Sequence, residues 1–163
     1  FVWSVVGEEM VGGRAHYILK TGTRDIYYTK DELAWAMERV EGTVEDRASP
    51  AWRIFTWPLE VGREWETRYQ WENPVQRQTD DRVRHHKVEA LETITVPAGT
   101  FQAFRIVVKN QAGRLTDEKW YAPEVKWIIK DKAYFSYGPR ERELLEYKLK
   151  STVAPLPATG SGR

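Results

Sequence analysis

Apolar and polar residues alternate along most of this chain, which is the pattern of β-strands with one buried face. The clearest example is the segment 64–71, in which charged and amide residues alternate with Trp65, Thr67, Tyr69 and Trp71. Because successive side chains of a strand point to opposite faces, this segment predicts a sheet with one dry face and one wet face.

Residues 92–108 predict a complete β-hairpin. β-Branched residues lead up to Val96, the sequence Pro-Ala-Gly at 97–99 supplies a turn, and apolar residues alternate again as far as Val108. Strands favour β-branched and aromatic residues, and short connections that contain Gly join them into hairpins. This segment therefore indicates the architecture without pointing to any reaction.

Turn signals recur about every ten to fifteen residues, as in an antiparallel all-β domain. The polar segment 73–81 predicts a loop, and the alternation at 145–149 predicts a terminal strand. Long crossover helices are not predicted, which argues against a parallel α/β sheet. We expect an all-β fold, either a strongly curved antiparallel sheet or an open β-barrel, built from consecutive hairpins. Residues 1–150 are expected to form a single domain and residues 151–163 a flexible tail.

One segment, residues 33–39, is compatible with two structures. The preceding residues 29–32 have the form of a helix capping box, and good helix formers follow them. However, the same segment alternates as a strand would, at Leu33, Trp35 and Met37. The hairpins on either side favour the strand.

Composition narrows the class of protein. At 163 residues the chain has the length of one domain, which buries about 70% of the surface that its unfolded form exposes. The aromatic content of 13% is high and favours strands. The 25 Lys and Arg residues balance the 24 Asp and Glu residues, which argues against a nucleic-acid binder with clustered positive charge. No apolar run approaches the roughly 20 residues of a transmembrane helix.

The histidines and acidic residues predict no site of catalysis. His85 and His86 are neighbours on a predicted strand, so they would point to opposite faces and cannot easily bind one metal ion. The sequence has no nucleophile elbow, no phosphate-binding glycine loop and no His-Glu-x-x-His motif. Since the chain has no Cys, thiol chemistry is excluded as well. We predict no catalytic residue, no metal and no cofactor, with an unrecognised enzyme as an alternative.

Arg82, Arg84 and His86 share one face of a predicted strand. They would form either a small anion-binding patch or an ordinary solvated strand face. Asp80 and Asp81 directly precede them and partly neutralise their charge, which favours the solvated face.

The aromatic residues are the feature with functional potential. If the sheet curls, they would line an apolar groove for a lipid or another hydrophobic ligand. An aromatic-rich core and a protein-binding surface are the alternatives. The candidate binding residues are Trp57, Trp65, Tyr69, Trp71, Trp120 and Trp127.

Three motifs follow one another along the chain. They are Phe-Thr-Trp-Pro-Leu-Glu-Val-Gly-Arg-Glu-Trp at 55–65, Thr-Val-Pro-Ala-Gly-Thr-Phe at 95–101 and Trp-Tyr-Ala-Pro-Glu-Val at 120–125. Together with a closing strand like residues 143–147, they resemble a broad group of uncharacterised bacterial secreted or periplasmic β-proteins and lipoproteins. The resemblance extends over roughly residues 1–150.

This resemblance implies antiparallel strands and a periplasmic or cell-surface location after removal of a leader, and it supplies no catalytic residues. We therefore expect a non-enzymatic extracytoplasmic binding or assembly protein. It would associate with another cell-envelope protein, or with itself, through an aromatic surface or a sheet edge. The alternative is a carrier of a lipid or other hydrophobic ligand in the concave face of the sheet.

Overall fold

A computed structural model of the chain describes residues 3–149, and these residues form eleven β-strands and no helix. The strands are β1 (Ser4–Val11), β2 (Arg14–Thr21), β3 (Arg24–Thr29), β4 (Trp35–Val40), β5 (Thr43–Trp52), β6 (Glu64–Asn73), β7 (Gln78–Val96), β8 (Gly99–Asn110), β9 (Leu115–Ala122), β10 (Trp127–Phe135) and β11 (Gly138–Glu143). They form one antiparallel sheet in which every strand pairs with its neighbours in the chain. Within the described residues β1 and β11 are the two edges, so the sheet is not closed and the predicted all-β fold is confirmed.

The sheet curls strongly enough that distant strands meet face to face. β3 and β10 are seven steps apart in the sheet, which would separate them by about 34 Å if the sheet were flat. Instead, the rings of Tyr28 on β3 and Trp127 on β10 lie 4.9 Å apart. The guanidinium of Arg142 on β11 likewise lies 5.0 Å from the ring of Trp3, just before β1. We call the concave face on which Tyr28 and Trp127 meet the inner face.

The connection between β5 and β6, residues 53–63, crosses the inner face and packs into it. Ile54, Phe55 and Leu59 are buried in the main hydrophobic cluster, and Phe55 is only 1% exposed. The Phe55 ring contacts Tyr121 of β9 at 5.3 Å. The apolar inner face is thus covered by a segment of the same chain.

Hydrogen bonds fix this crossing segment to the sheet. The Trp65 indole of β6 donates to the carbonyl of Arg53 at 3.2 Å. At the other end of the segment, the amide of Gly62 donates to the carbonyl of Val88 on β7 at 2.8 Å. The segment therefore begins and ends on neighbouring strands.

A second, smaller hydrophobic cluster lies on the opposite, outer face. Trp120 belongs to it while the next residue, Tyr121, belongs to the inner cluster, as alternation along a strand requires. The chain after β11 covers part of this cluster. The amide of Leu144 donates to the carbonyl of Ile129 at 2.8 Å, and the amide of Ala98 donates to the carbonyl of Leu144 at 3.0 Å.

The hairpin predicted at residues 92–108 is confirmed as β7 and β8. Val96 pairs with Gly99 across a two-residue connection. Gly99 has a φ of 140°, a backbone conformation that side chains disfavour, which explains the glycine.

Other local predictions have mixed outcomes. The ambiguous segment 33–39 forms strand β4 from Trp35 onward. The loop predicted at 73–81 is shorter, because β7 begins at Gln78. The terminal strand predicted at 145–149 is wrong, since the last described strand is β11. β11 has the sequence Gly-Pro-Arg-Glu-Arg-Glu. As a charged edge strand it has no alternating apolar residues, so the hydrophobic pattern could not predict it. The tail predicted at 151–163 lies outside the described residues.

Replacing Phe55 with Ala is expected to lower the free energy of unfolding by about 3–5 kcal/mol, because it leaves a large cavity where the crossing segment enters the core. Val61→Ala, in the same segment, is the matched control. Its side chain is 57% exposed, so the expected change is within about 0.5 kcal/mol. Urea denaturation of both variants measures the difference. If Phe55→Ala lowers the free energy of unfolding no more than Val61→Ala does, Phe55 is not a core residue.

Candidate functional site

An open cleft of about 590 Å³ lies on the inner face, at the end of the sheet opposite the crossing segment. Its volume is in the range of small-ligand sites. The β6–β7, β8–β9 and β10–β11 connections meet at this end, because successive connections of an antiparallel sheet alternate between its two ends. The lining includes Trp52, Tyr69, Asp80, Arg82, Arg84, Asn110, Asp117, Tyr134, Phe135 and Arg140.

Two stacked rings form the apolar part of this cleft. Trp52, the last residue of β5, stacks on Tyr69 of β6 with the rings 5.8 Å apart and 20° from parallel. Tyr69 is buried, and this burial raises the pKa of its hydroxyl. The hydroxyl therefore stays protonated at neutral pH and remains a hydrogen-bond donor.

His86 holds Trp52 in place from behind. The Trp52 indole Nε1 lies 3.0 Å from His86 Nε2, and an indole nitrogen can only donate. His86 Nε2 must therefore accept, which leaves the ring proton on Nδ1, 3.4 Å from the carbonyl of Trp65. The imidazole also stacks on the Trp65 ring at 4.9 Å. Burial lowers the pKa of His86 to about 4, so the ring is neutral under physiological conditions.

The charged residues of the open cleft fall into paired and unpaired groups. Arg82 contacts Asp80 at 3.1 Å and lies over the Trp71 ring at 4.3 Å. Asp117 lies 3.5 Å from the ammonium of Lys119.

In contrast, no carboxylate of residues 3–149 lies within 4 Å of Arg84 or Arg140. Arg84 donates to the carbonyl of Val83 at 3.2 Å. Arg140 lies over the ring of Phe135, 5.2 Å from its centre. Arg84 and Arg140 thus have no ion-pair partner among the described residues, and neither has Asp81, which also lines the cleft.

The β10–β11 hairpin raises an aromatic edge beside the cleft. The rings of Phe135 and Tyr137 are stacked 5.0 Å apart and 4° from parallel. Tyr137 is 81% exposed, more than any other large hydrophobic residue of the part described. We call Phe135, Tyr137 and Arg140 the aromatic lip.

The six predicted binding residues do not come together at one surface. Tyr69 lines the open cleft, and Trp65 and Trp71 lie behind it against His86 and Arg82. The others lie elsewhere. Trp57 and Trp127 pack around Phe55 of the crossing segment, whereas Trp120 lies on the outer face, where its indole donates to Glu92 at 2.6 Å.

Of the predicted anion patch, two members reach the open cleft. Arg82 and Arg84 line it, while the third member, His86, is buried and neutral. Sequence reasoning missed Trp52 and the aromatic lip. The sequence Phe-Ser-Tyr-Gly at residues 135–138 could have indicated the lip, because its Gly is typical of a hairpin turn and its two aromatic residues would then lie at that turn.

One acidic cluster has the geometry of a cation site. Ligand atoms of Glu38, Glu45 and Asp46 lie within 4.8 Å of one another. The guanidinium of Arg24 already contacts Glu38 at 2.9 Å and Glu45 at 2.6 Å. The cluster is therefore explained as an ion-pair network on β3, β4 and β5.

None of the described residues forms a helix with the length and apolarity needed to cross a bilayer. No protein-family model matches the sequence, and no curated protein is significantly similar to it. Among solved structures, the chain is weakly similar to the hypothetical lipoprotein YmcC from Escherichia coli (K12). The two share 10% sequence identity and a TM-score of 0.43, and the alignment covers 85% of this chain and 80% of that chain.

Acidification is expected to destabilise the protein through His86. Its folded-state pKa of about 4 lies below the ordinary 6.5, so between these values the unfolded chain binds a proton that the folded chain does not. This contribution to stability is complete above pH 6.5 and declines as the pH falls toward 4. Its loss between pH 7.5 and pH 5 is about 2 kcal/mol.

Urea denaturation at these two pH values, for the wild type and His86→Gln, tests this expectation. Gln accepts a hydrogen bond from Trp52 but does not titrate, so the variant should lack the loss assigned to His86. Carboxylate titration is common to both proteins and cancels in the comparison. The same pH dependence in both would contradict a buried neutral His86.

Proposed function

We propose that this protein is a non-enzymatic extracytoplasmic binding protein that associates with another protein through its aromatic lip. The main support for this association is the stacked pair of Phe135 and Tyr137, with Tyr137 81% exposed at the rim of the open cleft. Aromatic side chains lose apolar hydration when a partner covers them. Together with Arg, they are the residue types that dominate binding energy at protein interfaces.

The filling of the inner face favours association over carriage of a hydrophobic ligand. A carrier needs an apolar space in which the ligand replaces water. Here Ile54, Phe55 and Leu59 of the crossing segment take the position that a lipid chain would need. The open cleft at the other end is lined by charged and polar groups as well as by rings.

The lip is a better candidate surface than the sheet edges. On β1, Val5 and Met10 are exposed, but a register shift next to Gly7 interrupts the strand. Bulges of this kind disfavour pairing with another chain. β11 is protected by Pro139 and by its alternating charges.

The extracytoplasmic location is the part of the proposal that rests on sequence. It is supported by the ordered motifs at 55–65, 95–101 and 120–125, which resemble secreted and periplasmic bacterial β-proteins. Fractionation of the cells that naturally produce the protein tests the location separately from the association.

Photocrosslinking from the lip tests the association. With benzoylphenylalanine in place of Tyr137, irradiation of producing cells is expected to give one discrete adduct of defined mass. The matched control carries the same group in place of Val61, which is also exposed but lies in the crossing segment at the opposite end of the sheet. Irradiation of the purified protein distinguishes self-association from capture of a different protein.

The proposal predicts that the additional change Phe135→Ser greatly reduces the adduct, because the stacked pair is lost. Stability should change little, since Phe135 is an exposed side chain at a hairpin end. A probe at position 137 that yields no more adduct than the probe at position 61 would refute association through the lip.

A further inference from the structure

We infer that the open cleft binds an extended acidic segment of the partner, with one carboxylate at Arg84 and another at Arg140. This inference rests on the proposed association, because the cleft lies directly behind the aromatic lip and shares Phe135 and Arg140 with it.

Charge pairing within the cleft singles out these two arginines. Arg82 is neutralised by Asp80, and Asp117 is neutralised by Lys119. Among the described residues, Arg84 and Arg140 have no carboxylate within ion-pair distance. An arginine offers a planar fork of donors that matches a carboxylate, so both are suited to receive one from a ligand.

The positions of the two arginines in the sheet suit an extended ligand of six residues or fewer. Arg84 lies on β7 and pairs with Asn110, whereas Arg140 lies on β11 and pairs with Ala133. Four strand-to-strand steps separate β7 from β11, which corresponds to about 19 Å along the sheet. An extended chain rises about 3.3 Å per residue, so roughly six residues reach from one arginine to the other. Curvature of the sheet shortens this path.

The middle of the cleft offers an acidic residue no unpaired cation. Asp117 on β9 lies between the two arginines in the sheet, and Asp80 lies beside Arg82 on β7. The Asp117 carboxylate is already paired with Lys119, so a ligand carboxylate placed there would meet no unpaired cation, and the ligand is expected to be neutral in its centre. The Trp52 ring, whose centre lies 5.7 Å from the Lys119 ammonium of β9, offers an apolar contact to that central part.

This charge pattern distinguishes an acidic protein segment from a uniform polyanion. A nucleic-acid strand carries negative charge at every residue and would bring phosphates to the middle of the cleft, where the cations are already paired. A peptide can place its charges at the two ends alone. The arrangement therefore favours a peptide with acidic ends and a neutral middle.

Fluorescence anisotropy with labelled peptides tests the inference on the purified full chain. The first peptide has Glu at both ends of about six residues, with Ser and Gly between them. The second has the same composition with both Glu residues in the centre, and the third has Gln at both ends. We expect the first peptide to bind roughly five- to tenfold more tightly than either of the others, as for one or two exposed ion pairs.

Arginine variants then locate the site. Arg84→Gln and Arg140→Gln are each expected to abolish the preference for the first peptide. Arg114→Gln is the matched control, because it removes the same charge from an exposed position of the β8–β9 connection that does not line the cleft. The peptide comparison uses unaltered protein, so the test stands even where a variant fails to fold.

Two results would overturn the inference: equal binding of the three peptides, or an equal effect of Arg114→Gln. These results are separable from failure of the proposed association. A crosslink from position 137 without any peptide preference would leave the lip as an interface and reject the acidic segment. Peptide preference without a crosslink would reject association through the lip.

Discussion

Coverage of the inner face by residues 53–63 is the constraint on which the rest of this structure depends. A single sheet has two faces, and residues 3–149 contain no helix that could cover the concave one. Phe55 meets this need by packing against rings from β9 and β10, among them Tyr121 and Trp127. Without this segment, the apolar inner sides of β2, β3, β8 and β9 would face water. The sheet would then lose the apolar contacts around which it curls.

The same constraint positions the candidate site. The crossing segment fills the inner face from one end, and the open cleft lies at the other. Trp52, the residue directly before the segment, is the boundary between them. Its indole is held by His86 and its ring stacks on Tyr69, so the packed core and the cleft share one wall.

Alternation in the sequence predicted most strands, because it reflects which side chains are buried. Since each strand pairs with its neighbours in the chain, the strand order needed no further information. It could not predict which rings meet. The Trp52–His86 hydrogen bond joins residues 34 apart in the chain, and nothing local encodes it. Both Trp120 and Tyr121 are aromatic, so alternation alone does not tell which of them faces the inner side and which the outer side. The lip was not predicted because β11 is charged and shows no hydrophobic alternation. Phe135 and Tyr137 can be placed at a hairpin end only when the pairing of β10 with β11 is known.

The chain-order pairing of the strands has a consequence for how the molecule assembles. Every ladder joins neighbours in sequence, so the sheet is built from contacts of low sequence separation, which form quickly. The encounter of Tyr28 with Trp127 is different, because it closes a loop of about two thirds of the described residues. We expect the ladders to form first and the curl afterwards. The curvature of this sheet would then depend on tertiary contacts between a few aromatic rings, and not on the strands alone.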